Sequence, residues 1–233
     1  MLKAGRVGTA ARLVAMIAGG MALVPAAATA AVLNDGGFEA QAAASGRDYC
    51  YFFATAGGRG PCASGAWTGE NGGGLQIETN QPWPGVPSPD GNYYGFVQGL
   101  GSLSQTFSVA ASGNYLFSWL DAGRPLNGSS QGNQTYAVTL TDLTTSAVTN
   151  LFGGATTNGS PWTARSSGAL LSTGTQYRLT FTGQAISGDQ TAFIDAVSVA
   201  AVPEPATWMM MMAGFGVAAF ALRRRPAMRT VAA

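Results

Sequence analysis

The chain has no histidine, one lysine and two cysteines, and only 10% of its 233 residues are charged. Without histidine it lacks the commonest general base and the commonest zinc ligand, so a Ser-His-Asp triad, a Cys-His pair and most zinc sites are excluded. The lysine, Lys3, sits at the extreme N-terminus, and the region from Ala31 to Val202 carries Arg47, Arg59, Arg124, Arg165 and Arg178 against ten acids from Asp35 to Asp195, a net charge of −5. A phosphate-binding surface needs clustered cations, which excludes nucleic acid as a partner. A helix-period segment is also missing between the two ends, leaving strands to build the body.

Long apolar runs occur at the two ends. Lys3, Arg6 and Arg12 precede "LVAMIAGGMALVPAAATA", which closes on Ala28-Thr29-Ala30. That is the charged, apolar and small-residue order of a secretory signal peptide over residues 1–30, with cleavage after Ala30. An uncleaved anchor helix is the alternative, and two glycines and Pro25 in the run speak against it. Trp208 to Leu222 holds no charge or strongly polar group, and Arg223, Arg224 and Arg225 follow at once. At about 1.5 Å per residue the run makes a helix of roughly 22 Å, short against a hydrocarbon core of roughly 30 Å. As a transmembrane helix with its arginines on the cytoplasmic side it would stop translocation and leave everything before Pro203 outside. A terminal amphipathic or core helix is the alternative, but the run is apolar on every face.

Pro203-Glu204-Pro205, then Trp208, a Gly214-Phe215-Gly216 helix and Arg223-Arg224-Arg225 resemble the PEP-CTERM sorting signal of Gram-negative bacteria over residues 202–233. The resemblance implies export, transient tethering in the inner membrane and processing near the Pro-Glu-Pro motif by an exosortase, with release to the cell surface or an extracellular matrix of exopolysaccharide and biofilm. Two prolines fix an extended segment where a protease can engage it.

Between the ends, short runs rich in aromatic and β-branched residues are punctuated by Gly, Asn, Ser and Asp. The expected strands are "LQIET" from Leu75, "NYYGFVQ" from Asn92, "LSQTFSV" from Leu103, "NYLFSWLD" from Asn114, "TYAVTLTDL" from Thr135, "YRLTFTG" from Tyr177 and "TAFIDAVSV" from Thr191. In "TYAVTLTDL", Tyr136, Val138 and Leu140 face one way, and Thr135, Ala137, Thr139 and Thr141 the other, as on a half-buried antiparallel sheet. The pattern predicts an all-β domain over residues 31–201, a two-sheet antiparallel jelly-roll sandwich. "NDGGFE", "SQTFSV...NYLFSWLDAGRP" and "TAFIDAVSV" are similar to galactose-binding-like β-sandwiches of exported proteins and carbohydrate-binding modules. Residues 40–74 are Gly- and Ala-rich with few strand signals. Cys50 and Cys62, in an exported domain, are expected to form a disulfide around the loop "CYFFATAGGRGPC" rather than a catalytic thiol.

Enzyme motifs are sparse. "GSSQG" (128–132) fits G-x-S-x-G but lies in a polar loop with no following helix pattern and no histidine to complete a triad. A glycosidase would need two carboxylates, with Asp48, Glu70, Glu78, Asp90 and Asp121 available, although carboxylates at turns are commonly turn formers. A binding module is the better expectation. Saccharides need exposed aromatics and nearby amide, carboxylate or guanidinium groups. "NQPWPGVPSPDGNYYGF" sets Trp83 between two prolines, and Arg124 and Asn127 follow "NYLFSWLD". Trp83, Tyr93, Arg124 and Asn127 are the candidate polysaccharide contacts, with core packing as the alternative role, to which Tyr94 and Phe96 are assigned. A structural matrix protein with no discrete ligand fits the tail equally well.

In "TAFIDAVSV" the period of two puts Asp195 on one face with Phe193, Val197 and Val199, the expected core face. A carboxylate there needs a partner: an arginine, backbone N–H groups, a solvated strand end or a hard cation. The galactose-binding-like resemblance implies structural calcium, held by Glu39 and Asp195 with carbonyls from Asp35 to Gly37.

Overall fold

The computed structural model describes residues 32–53, 60–79, 86–125, 134–156, 161–186, 190–203 and 205–223. The expected signal peptide, residues 1–30, lies outside the described residues. In chain order the elements are α1 (Glu39–Ser45), β1 (Tyr49–Tyr51), β2 (Thr68–Glu70), β3 (Gly73–Ile77), β4 (Tyr93–Gln98), β5 (Ser102–Ser108) and β6 (Gly113–Gly123). There follow β7 (Gln134–Asp142), β8 (Val148–Thr156), β9 (Thr163–Leu171), β10 (Gln176–Gly183), β11 (Thr191–Ala201) and α2 (Pro205–Arg223).

The strands form two antiparallel sheets, one of six strands in the order β1-β3-β4-β11-β6-β9 and one of five in the order β2-β5-β10-β7-β8. From β4 onward the chain changes sheet at almost every connection, so the sheets stack as a sandwich. Alternation sends one side of each strand inward. Tyr136, Val138 and Leu140 of β7, Leu179 and Phe181 of β10, Phe117 and Trp119 of β6 and Leu103 of β5 fill the space between the sheets, with Trp67 and Phe38 closing one end. The opposite positions of β7, Thr135 through Thr141, are half-exposed as the pattern predicts.

Four strands and one helix were not anticipated. β1 and β2 are three-residue edge pieces inside the Gly- and Ala-rich stretch. β8 ("VTNLFGGAT") and β9 ("TARSSGALL") are sheet-edge strands with mostly exposed residues, so selection for apolar alternation is weak there. The helix α1, "EAQAAAS", contradicts the expectation of no helix before the tail. Alanine favours it, the Asp35 carboxylate accepts the Ala40 and Gln41 N–H groups at 2.9 Å each, and Gly46 ends it in the left-handed conformation at φ 60°. Gln41 then ties α1 to the β1–β2 connection, donating to the Ala63 and Trp67 carbonyls and accepting the Trp67 N–H. The Cys50–Cys62 disulfide forms in the same region.

The expected facing of the last strand is corrected by a bulge. The pairing of β11 with β6 slips between Asp195 and Ser198, and Ala196 sits at φ 50°. One extra residue reverses the alternation. Ile194, Val197 and Val199 therefore pack between the sheets, whereas Phe193 belongs to a second cluster with Tyr51, Tyr94, Phe96 and Ala122 on the outer face of the six-stranded sheet. Asp195 shares that outer side with Phe193, not the core side with Val197. The bulge also docks the incoming chain: Val197 N–H donates to the Gly36 carbonyl at 3.0 Å, and a Cβ on Gly36 would stand 2.1 Å from the Val197 carbonyl oxygen, so the approach requires glycine.

The C-terminal run is helical from Pro205 to Arg223, and Met210 to Phe220 are exposed along it. Among the described residues no helix is long and apolar enough to cross a membrane.

Candidate functional site

Two polar systems lie in and on the sandwich. The first is internal. Arg165 on edge strand β9 donates from Nε to Asp121 Oδ2 at 2.9 Å and from Nη2 to Oδ1 at 3.5 Å. Tyr136 donates its hydroxyl to the same Asp121 carboxylate, and Trp119 Nε1 donates to the Tyr136 oxygen at 2.8 Å. Burial, reinforced by the Asp121 charge, pushes the Tyr136 phenol up, so it stays a donor. Asp121 is 1% exposed. The carboxylate is thus tied up inside the sandwich, which removes it from the candidate glycosidase acids. Of the others, Glu78 accepts the Ser88 N–H at 2.8 Å, and Asp48, Glu70 and Asp90 are exposed. The "GSSQG" motif lies outside the described residues.

The second system is the outer face of the six-stranded sheet, where cross-strand register sets side chains in rows. One row runs Gln76–Tyr94, the next Gly74–Phe96–Phe193–Ala122, and the third begins Gln98–Thr191. Strand alternation extends the first row to Asp195 and the third to Arg124, two residues beyond Ala122. Tyr51 donates to Gln98 Oε1 at 2.6 Å, and Gln76 Nε2 donates to the Tyr94 oxygen at 2.9 Å. Trp162 stands edge-on to Tyr94 with centroids 5.5 Å apart and donates from Nε1 to the Pro87 carbonyl at 2.7 Å. Burial pushes the Tyr94 phenol up against the opposing Gln76 hydrogen bond, so it also stays neutral. Thr191 Oγ1 is buried and has no hydrogen-bond partner among the described residues. Gln76, Tyr94, Phe96, Phe193, Arg124 and Thr191 are each 0–1% exposed, so these rows form a covered second layer, at which Trp162 and Gln98 are half-buried.

The candidate polysaccharide contacts divide. Trp83 and Asn127 lie outside the described residues. Arg124 belongs to this face but is 0% exposed, and its backbone N–H meets Gln134 Oε1 and the Thr191 carbonyl. Tyr93 departs from the expectation: it points to the opposite side of β4, half-buried against the main core. Tyr94 and Phe96 are buried as expected, but in the outer cluster. Gln76, Gln98, Thr191 and Trp162, which border the outer cluster, were not singled out from the sequence. The signal was present in β4, where alternation must put Tyr93 and Tyr94 on opposite faces.

The expected calcium ligands are otherwise engaged. Glu39 Oε1 accepts the Asn92 and Tyr93 N–H groups at 2.8 and 2.7 Å. Asp195 accepts the Ser88 hydroxyl at 2.8 Å and the Ala196 N–H at 2.7 Å. Among the described residues no group of three or more His, Cys, Asp or Glu side chains is placed to hold a metal ion. The buried carboxylate takes a different route: burial, partly offset by the Ser88 hydrogen bond, raises Asp195 to about 7.

Of the sorting residues, Pro203 is exposed between β11 and α2, Pro205 opens α2 and Arg223 ends it. Glu204, Arg224 and Arg225 lie outside the described residues.

Residues 201–225 match the PEP-CTERM protein-sorting motif. No curated protein matches the chain. Among solved structures, the sandwich is similar to the carbohydrate-binding module TmCBM61, solved in complex with β-1,4-galactotriose, at 15% identity and a TM-score of 0.46 over 74% of this chain and 99% of that one. It is similar to the CBM22-1 xylan-binding domain of Xyn10C from Paenibacillus barcinonensis at 13% identity and a TM-score of 0.42, over 60% of this chain and 87% of that one. It is also similar to the K3 cleaved adhesin domain of Lys-gingipain from Porphyromonas gingivalis at 15% identity and a TM-score of 0.40, over 59% of this chain and 93% of that one.

Proposed function

We propose that the protein is an exported, exosortase-processed component of the cell surface or exopolysaccharide matrix whose sandwich binds polysaccharide without chemistry. The observation that carries this reading is the sorting motif joined to the end of β11, with three residues, 202–204, between the last strand of the sandwich and α2. The tail acts as an address: α2 engages the inner membrane transiently, and the segment around Pro203 to Pro205 is presented to the exosortase. For the body, support comes from the half-buried indole of Trp162, which stands edge-on to Tyr94 of the outer aromatic cluster. Trp83 and Asn127, which lie outside the described residues, are further proposed contacts.

Pull-down of the full chain, held in detergent micelles, on a panel of insoluble polysaccharides is the test. Retention on at least one is expected. A chain retained on none would leave the second reading, a structural matrix protein without a discrete ligand, and an assay showing release of reducing ends would replace both with a glycosidase.

A further inference from the structure

The sorting helix leaves from one end of the sandwich, where β11 finishes at Ala201, β6 begins at Gly113 and β9 finishes at Leu171. In the other sheet Ser108, Gln176 and Asp142 stand at the same end, so the connections 109–112, 143–147 and 172–175 close it. Those connections, "VAAS", "LTTSA" and "STGT", hold no Asp, Glu, Lys or Arg. The nearest charges, Asp142 and Arg178, are opposite in sign, and the Asp142 carboxylate already accepts the Thr144 and Thr145 N–H groups at 2.8 and 3.1 Å. Glu39, Glu78 and Asp90 gather elsewhere, around the Ile77 and Tyr93 ends of β3 and β4, on the far side of β11 from β6.

Apolar side chains take the place of charge at this end. Leu116, Val148, Leu170 and Val202 are exposed there, Leu170 by 74%. On the outer face of the six-stranded sheet Ala200 lies opposite Leu116, and Leu116 opposite Gly168. One row further out, Val202 N–H donates to the Asn114 carbonyl at 2.8 Å and Asn114 lies opposite Leu170. Strand spacing puts Leu116, Leu170 and Val202 within about 10 Å of one another. Beside them a groove of about 380 Å³ opens between the edge strands β8 and β9, with Leu140, Ala147, Ala169 and Tyr177 among its walls.

The linker selects the partner. Residues 202–204 join Ala201 to Pro205, and four chain steps span at most about 14 Å. Whatever holds α2 is therefore held close to this end of the sandwich as well. Exposed leucines there gain by contact with lipid, and connections without charge lose little on leaving water.

We propose that this end of the sandwich is a lipid-contacting surface that rests on the bilayer engaged by α2, with Leu116, Leu170 and Val202 as its contacts. It rests on the reading of α2 as a membrane tether and adds an orientation to it: the domain stands on the membrane and the segment around Pro203 to Pro205 is held at the interface. The patch is too small to bind a bilayer alone. It works because the tether supplies a high effective concentration, and the contact is lost when α2 is cut away.

Photocrosslinking of the full chain, reconstituted in vesicles of phosphatidylethanolamine with a minor share of phosphatidylglycerol, tests the proposal. p-Benzoylphenylalanine is placed singly at Leu116, Leu170 or Val148, at Phe215 in α2, or at Leu100 or Ile186, exposed apolar positions at the opposite end of the sandwich. Lipid adducts are expected at Phe215, Leu116 and Leu170, with at most about a tenth as much at Leu100 and Ile186. Leu116→Asp with Leu170→Asp should cut the adduct from a Val148 probe about fivefold while leaving the Phe215 adduct unchanged. Adduct at Phe215 with none at Leu116 or Leu170, or a double variant that keeps the Val148 adduct in full, would overturn this surface and leave the tether standing. Equal adduct at Ile186 and Leu170 would also overturn it, as the mark of a domain tumbling on its linker. Adduct to a second protein chain in place of lipid at Leu170 would replace the bilayer with a copy of this chain. No lipid adduct at Phe215 would remove the proposal together with the membrane reading of α2.

Discussion

Replacing Asp195 by asparagine should make the protein more stable, and increasingly so as pH rises. Asp195 is 0% exposed, on the outer side of the bulged strand β11. Its oxygens meet the Ser88 hydroxyl and the Ala196 N–H, while Asp90 adds a like charge and no cation is among the groups that shift it. Burial raises its pKa to about 7, against about 3.9 in the unfolded chain, a difference worth up to about 4 kcal/mol. The folded state therefore holds a proton that the unfolded state has lost. Stability from this group is complete below the unfolded value and is lost as pH rises through about 7. Asparagine mimics the protonated form at every pH. The variant's advantage should grow from about 1.5 kcal/mol at pH 5 to at most about 4 kcal/mol at pH 8, less where the site relaxes or admits water. In thermal unfolding of the full chain, the gap in Tm between variant and wild type should widen by roughly 3–10 °C across that range. Carboxylates that accept backbone N–H bonds, such as Asp142, whose pKa is lowered by the Thr144 and Thr145 amides, push the opposite way but act equally in both proteins. Parallel pH profiles for the two proteins would refute the assignment of a buried, protonatable Asp195.

Arg165→Met should cost about 3 kcal/mol in urea unfolding, because the buried Asp121 carboxylate would lose its arginine partner and keep, among the described residues, the Tyr136 hydroxyl as donor. Asp121→Asn in the same background should recover part of that loss, and a full additive loss in the double variant would contradict the pairing. Exported, unreduced protein should take up no iodoacetamide at Cys50 or Cys62, and Cys50→Ala with Cys62→Ala should lower stability by about 2–3 kcal/mol. Labelling of both thiols in unreduced protein would contradict the bond.

Much of the sandwich was legible because β5, β7 and β10 alternate a buried residue with a more exposed one. β7 shows why: Tyr136, Val138 and Leu140 must reach the core, and the intervening threonines must not. The edge strands β8 and β9 lack that pressure, and runs such as Gly153-Gly154 read as loop. The helix α1 hides because its cap is Asp35, four residues ahead of its first residue, and not the residue immediately before it. The bulge at Ala196 is invisible to a period-two reading, which runs straight through it and sends Asp195 to the wrong side. For the candidate site, sequence singled out Arg124 but chose Tyr93 over Tyr94, since adjacent tyrosines look alike until the inner face of β4 is fixed by Val97 and by Gly95, which packs on Leu103 and Phe38. The Ser and Thr face of the five-stranded sheet was legible only one strand at a time. Its rows exist through register across β5, β10 and β7, which no local pattern encodes.

The measurement closest to the central claim is the intact mass, with C-terminal peptide mapping, of the protein collected from the cell exterior. Processing at the sorting motif predicts a chain that ends at or close to Pro203 to Pro205 and has lost α2. Exterior material that still carries Arg223, Arg224 and Arg225 would contradict it.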